Sequence, residues 1–315
     1  MLRYALRRLL LSLVQLAVLA FAVFVLTSAL PGDAAATAFN EQAGTAQIAE
    51  LRHQMGLDRP FAARFADWAG GLLSGDLGTS LVGHGPVSGV VTGSLGVTAT
   101  LAGATAVLLL PLALLLGLAM GLREGGRVDR VTSAAMLALD SVPDFVLALA
   151  LVALFSLRLG WLPSTWVGVE GGDLLTRPAL LVLPVAVVLS RTVCRFSRQI
   201  RAGTVTALRA GYTVQARRLG VPRLRLVLRH VLPNAAVPAV QELAHTGDQL
   251  LGGVLVVEAV FAVPGAATAL IDAVRSRDVP TVQALTLSLA AVALLLNLLA
   301  DLVCHRLAPR TELLR

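Results

Sequence analysis

Tyr212-Thr-Val-Gln-Ala-Arg-Arg-Leu-Gly-Val-Pro222 stands inside a basic segment, residues 191–232, that carries ten arginines and no acidic side chain. Apolar stretches of membrane-crossing length lie on either side of it. A basic loop of this length between two spans either fixes topology or receives a partner, and the Gly-x-Pro break in its middle favours the partner. Val205, Leu208, Tyr212 and Ala216 predict one face of a helix that ends near Gly220, a residue able to adopt a left-handed cap. Pro222 suits the first turn of a second helix, in which Leu224, Val227, Leu228 and Val231 recur at i, i+3, i+4 and i+7. The pattern reads helix, sharp break, helix, with Arg217, Arg218, Leu219, Val221, Arg223, Arg225 and Arg229 around the bend. Such a knuckle can pass force between a soluble body and the spans beside it.

The remainder of the chain agrees with a membrane setting. Of 315 residues, 56% are hydrophobic and only 14% charged, too few charges for the surface of a soluble domain of this size. Apolar blocks predict six spans, at about 9–30, 97–122, 133–157, 179–193, 235–260 and 281–303. The expected fold is therefore an all-α integral membrane protein of six transmembrane helices. Its parts are an N-terminal helix (1–30), an outer segment with short helices (31–96), a five-helix core containing the basic loop 195–232 (97–303), and a tail (304–315). Pro111 and Pro143 are expected to kink their helices.

All 26 basic residues other than histidine are arginines. With no lysine, the chain cannot build a G-x-x-x-x-G-K-[ST] phosphate loop, so any ATP hydrolysis belongs to another polypeptide. Placing the N-terminus in the cytoplasm puts 19 of the arginines in inner segments and 7 in outer ones, which predicts both termini inside. Loop retention by positive charge accounts for the net charge of +7 without a nucleic-acid partner. The first apolar run, about 22 residues, is longer than a cleaved signal segment and is read as a retained helix. Cys194 and Cys304 fall near predicted cytoplasmic helix ends and are expected to be free thiols.

In the outer segment, Ala46–Met55 reads as a short helix, and Phe61, Phe65 and Trp68 repeat at helical spacing just after Pro60. This is either a cap on the membrane surface or a platform for an extracytoplasmic partner. Ionisable residues also fall inside spans, where they ordinarily face a bundle interior or a watery cavity. Asp140 and Asp144 are expected on one face of the third span; Glu242, His245 and Asp248 lie along one side of the fifth. They either line a translocation path, acting on a cationic cargo group or an inner gate, or pair with His245 or a partner's arginines for packing. Glu242-x-x-His245 has metal-site spacing but lacks three further ligands, so no metal is expected. No nucleophile and base occur in a catalytic arrangement.

The elbow resembles the cytoplasmic loop of permease subunits of bacterial ABC importers, in the dipeptide/oligopeptide and nickel subfamily. Tyr212, Ala216, Arg217, Gly220, His230, Leu232, Asn234, Ala235 and Pro238 match that loop's pattern, while Gly211 replaces its usual acid and Pro233 stands where arginine is common. Ordered matches extend from Arg3 to Asp301. They include Leu30-Pro-Gly-Asp33, Gly56-Leu-Asp-Arg-Pro60, Gly75-Asp-Leu-Gly78, Leu159-Gly-Trp-Leu-Pro163 and the outer turn Glu258-x-x-Phe261-x-x-Pro264-Gly265. The resemblance implies a type I importer permease in the bacterial plasma membrane with a coupling helix at the elbow. The implied partners are a homologous second permease, two ATP-binding subunits that hold ATP and Mg, an extracytoplasmic solute-binding protein and membrane lipid. This chain itself would hold no cofactor and catalyse no reaction. Its implied cargo is di- or oligopeptides, with nickel chelates or another small solute as the alternative. A stand-alone secondary transporter or channel would call for inverted repeats, and none stands out.

Overall fold

A computed structural model describes residues 2–29, 58–166, 177–235 and 252–307. The described elements are helical: α1 (Leu2–Ser28), α2 (Phe61–Ser74), α3 (Val87–Gly121), α4 (Arg127–Asp140), α5 (Asp144–Leu151), α6 (Ala179–Arg209), α7 (Gly211–Arg218), α8 (Arg223–Leu226), α9 (Gly252–Phe261), α10 (Ala266–Arg275) and α11 (Val279–Leu307). The one extended pairing among them is an isolated bridge between Thr79 and Pro86. Helices α1, α3, α6 and α11 are each long and apolar enough to cross a membrane, and counting the bent pairs α4/α5 and α9/α10 as one span each gives six.

The third and fourth spans differ from expectation. Residues 133–157 do not form one helix: α4 ends at Asp140, and α5, which runs on as a π-helix over Val152–Arg158, departs at 101°. Pro143, itself extended at φ −60° and ψ 142°, accounts for the break: it lacks a donor for the previous turn and disfavours helical backbone in the residue before it. Pro111, by contrast, lies inside the continuous helix α3. Helix α6 does not stop at Val193 but runs unbroken for 31 residues to Arg209. That is about 46 Å at 1.5 Å per residue against about 30 Å of hydrocarbon, so α6 carries the first part of the basic segment out of the membrane as rigid helix. Cys194 is consequently not near a helix end; it is buried in the middle of α6. Helices α1 and α3 begin earlier than hydropathy indicated, and the short helix expected at Ala46–Met55 lies outside the described residues.

The chain divides into two compact units, residues 99–263 with 295–315, and residues 2–98 with 264–294. The core of the first is formed by Leu109, Ala113 and Met120 of α3, Met136 of α4, and Val193, Cys194, Phe196 and Ile200 of α6. Lipid tails are as apolar as leucine, so helices in a membrane associate through close contact rather than through the hydrophobic effect. Gly117 and Gly121 allow that contact: a Cβ on either would stand 2.6 Å from the Cβ of Ile200 or Thr204, respectively. The small residues four apart in Gly117-Leu-Ala-Met-Gly121 are the sequence signal for this packing.

The second unit is joined differently. Phe21 and Phe24 of α1 meet Phe61 and Phe65 of α2 edge to face, with centroids 5.3 to 6.5 Å apart, and Phe24 also meets Trp68 at 5.2 Å. The aromatic stripe after Pro60 is thus occupied within the chain. Val87 and Val91 pack on Ala284 and Leu285 of α11, and Gln283 donates to the Thr27 hydroxyl at 2.7 Å.

Candidate functional site

The elbow starts where α6 stops. Ala210 is extended (φ −65°, ψ 140°), so the helix expected to run from Val205 to Gly220 is two helices, α6 and α7. At the far end of α7, Gly220 adopts φ +76°. The amides of Gly220 and Val221 turn back onto the carbonyls of Arg217 and Ala216 at 3.1 and 3.2 Å, closing the helix with the left-handed cap that glycine permits. Pro222 (φ −60°, ψ 142°) then precedes α8, which opens into a π-helix at Val227–Val231.

The side chains that face inward are not simply those of the expected stripe. The expected apolar stripe held Leu224, Val227, Leu228 and Val231, yet Leu224 and Leu228 are 72% and 52% exposed while Leu226 and Val231 are buried. The wider turn brings Val231 round to the side of Leu226, five residues before it, while Leu224, ahead of that turn, is apolar yet faces out. In α7 the inward residues are Thr213 and Ala216, whereas Tyr212, Val214 and the 75%-exposed Leu219 face away. Where the second arm returns to α6 the backbones nearly touch: a Cβ on Gly203 would lie 2.7 Å from the Ala235 carbonyl oxygen. The elbow is therefore footed on the α6 backbone and presents apolar side chains outward. Arg217, Arg218, Arg223, Arg225 and Arg229 are exposed among them and have no acidic partner among the described residues.

The same helix carries a second feature. Arg191, Arg195, Arg198, Arg201 and Arg209 descend one side of α6 at helical spacing, and acids from residues 124–144 meet them. The Arg209 guanidinium donates to both oxygens of Glu124 at 2.8 and 3.0 Å, on the surface. Arg201 grips Asp129 with two bonds of 2.5 and 2.7 Å. The Asp129 carboxylate also accepts from the Gly125 amide and the Ser133 hydroxyl. Arg198 donates to Asp140 at 3.0 Å, with Arg195 and Arg191 at 3.9 and 4.0 Å from the other oxygen. Arg191 reaches Asp144 only at 3.5 Å. The acids in the third span are thus met by arginines of their own chain. They meet because the chain breaks between them: Asp140 ends α4 and Asp144 starts α5, so they are not one turn apart on one helix. Glu242, His245 and Asp248 lie outside the described residues.

The turn after α9 is pinned. Glu258 and Phe261 are buried, the Val263 amide donates to the Glu258 carbonyl at 2.9 Å, and Ala262 takes φ +52°. The buried Trp166 holds that turn by donating its amide to the Phe261 carbonyl at 3.1 Å and its indole N–H to the Leu180 carbonyl at 3.2 Å. Pro264 is exposed, and Gly265 leads α10 as its N-cap.

Two buried acids escaped the reading of the sequence, Asp129 and, in the other unit, Asp278. Asp278, 4% exposed at the start of α11, accepts from the Ser80 hydroxyl (2.5 Å), the Leu81 amide (3.1 Å) and the Thr281 hydroxyl (2.7 Å). Its available signal was local, an Asp directly ahead of Val-Pro-Thr and a long apolar run, which is a helix-start pattern.

Comparison with known proteins decides what this scaffold is. Residues 113–313 match the family described as binding-protein-dependent transport system inner membrane component, and residues 1–102 match the N-terminal membrane-component family of such systems. The chain belongs to this permease family. A protein of Brucella suis biovar 1 (strain 1330), named as a peptide permease, is 32% identical over 317 residues, 99% of each chain. Glutathione transport system permease proteins of Pectobacterium atrosepticum and Salmonella typhi are each 33% identical over 309 residues, 98% of each chain. The permease is therefore a multi-pass inner-membrane component of an importer that depends on a binding protein, in agreement with the family resemblance of its loops.

Proposed function

We propose that this permease imports peptides, and that its elbow is the point at which partner ATPase subunits drive it. The observation that carries the proposal is the outward face of the elbow. Tyr212, Leu219, Leu224 and Leu228 are exposed on a backbone footed against α6, and exposed arginines surround them. Clustered apolar side chains with a charged rim have the composition of a protein-binding surface, and the arginines favour an acidic rim on the partner. Because α6 is one continuous helix from Ala179 to Arg209, a displacement of the elbow moves its membrane-spanning part as a lever.

In this reading the complex comprises this chain, a homologous permease, two ATP-binding subunits that hold ATP and Mg, and an extracytoplasmic solute-binding protein. The elbow and both termini face the cytoplasm. Arg217–Pro222 transmit the motion, while Arg223, Arg225 and Arg229 meet the ATPase or lipid phosphates. ATPase closure draws two such elbows together and swings the spans from inward-open to outward-open, and hydrolysis resets them. The outer turn around Glu258, Phe261, Pro264 and Gly265 moves with α9. Peptide cargo is supported by the relatives named for peptides and glutathione.

The test is to replace Leu219 and Leu224 together by glutamate in the assembled complex. Both side chains point away from the fold, so insertion should be normal, while stimulation of ATP hydrolysis by loaded binding protein should fall by at least about tenfold, the effect of losing a buried interface anchor. Unchanged stimulation would remove the elbow from the coupling pathway.

A further inference from the structure

The loose end of the arginine ladder opens into a cavity. Two adjoining hollows of about 310 and 390 Å³ share Asp144, Arg191 and Val256 in their walls. Asp140 and Arg195 complete the charged lining, Val188 and Val256 the apolar one, and Gly252-Gly253 leaves one side without side chains. We infer that this cavity is a cargo subsite that receives a zwitterion, with the cargo ammonium at Asp144 and its carboxylate at Arg191. The inference rests on the importer reading above and names the chemistry of its cargo.

Charge balance selects the ligand class. Asp140 is already held by Arg198, so the groups open to exchange are one acid and one base, Asp144 and Arg191; a simple cation or anion gains one attraction and meets one repulsion there, whereas a molecule bearing both charges satisfies both sides. Binding capacity is also left unused at this place. The Asp144–Arg191 contact is long at 3.5 Å, and Asp140 Oδ1 accepts no hydrogen bond although two guanidinium groups lie within 4.0 Å. At the closed end of the same ladder, Asp129 and Arg201 saturate one another at 2.5 and 2.7 Å. A metal cargo has no such support, since no group of three or more His, Cys, Asp or Glu suited to a metal occurs among the described residues. A zwitterion entering here exchanges one stretched ion pair for two shorter ones, the shallow binding that a transport path requires.

The experiment uses the assembled complex in nanodiscs without binding protein, with trialanine, N-acetyl-trialanine and trialanine amide as probes and saturation-transfer NMR as the readout. Free trialanine should bind, and blocking either end should weaken it about tenfold, the value of one charge-assisted contact. Asp144→Asn should abolish the penalty for acetylation and Arg191→Gln the penalty for amidation. Binding of all three peptides alike, or no binding of any, overturns the subsite, and that comparison in the wild-type complex requires no variant to assemble. Equal effects of both substitutions on all three peptides also overturn it, assigning the ladder to packing or the cavity to side chains of the partner permease. Import of trialanine is measured separately with binding protein and ATP. Import without the binding pattern sinks the subsite alone, and the binding pattern without import sinks the peptide-cargo reading alone.

Discussion

Asp278 and Asp144 are both carboxylates inside the apolar part of the chain, one in each unit, and their surroundings treat them in opposite ways. Asp278 is closed in by two hydroxyls and an amide at the head of a long helix. No charge lies in that set of donors; the helix N-terminus and three hydrogen bonds stabilise the anion, tying the 78–87 turn to α11. Asp144 also begins a helix, but its contact is a single long bond to an arginine that is 46% exposed, beside open space. The first arrangement is a joint that has no second state to offer. The second leaves both charges able to change partner, which is what a path for charged cargo demands. Asp129 lies between these extremes, a buried carboxylate that is both ion-paired and hydrogen-bonded.

That contrast can be broken by ranking three substitutions in the assembled complex by thermal unfolding in detergent. Asp129→Ala should cost most, about 3 kcal/mol, because it leaves Arg201 without its partner and frees the Gly125 amide. Asp278→Ala should follow at about 2 kcal/mol, the penalty for orphaning a buried amide and two hydroxyls, and should loosen the 78–87 turn to proteolysis. Asp144→Asn should be smallest, less than about 1 kcal/mol, since its partner is well solvated. A loss at Asp144 as large as that at Asp129 would mean that the loose end of the ladder is structural after all.

Much of this was legible in local sequence. The apolar blocks, the Gly220-Val-Pro222 break, the left-handed cap and the loop motifs are short-range signals, and the spans follow them apart from their ends. What went unread depends on residues far apart. Arg201 and Asp129 are separated by 72 positions, and Ser80 and Asp278 by 198, so neither pairing leaves a periodic trace. The continuation of α6 beyond Val193 was hidden because hydropathy reports where the apolar run ends, not where the helix does. The elbow's outward face was misassigned for two reasons: spacing rules assume 3.6 residues per turn, which the π-helix at Val227–Val231 breaks, and they assume that apolar side chains turn inward, which Leu224 does not.

By itself, then, the sequence determined that the chain enters a membrane as helices, that it bends at Gly220 and Pro222, and which family it joins. All of these follow from burial of apolar runs and from backbone limits that glycine and proline impose locally. Only the tertiary structure decided which acid answers which arginine and which elbow side chains remain outside. Those outcomes depend on where the break at Pro143 turns the chain and on how closely Gly117, Gly121 and Gly203 let helices approach.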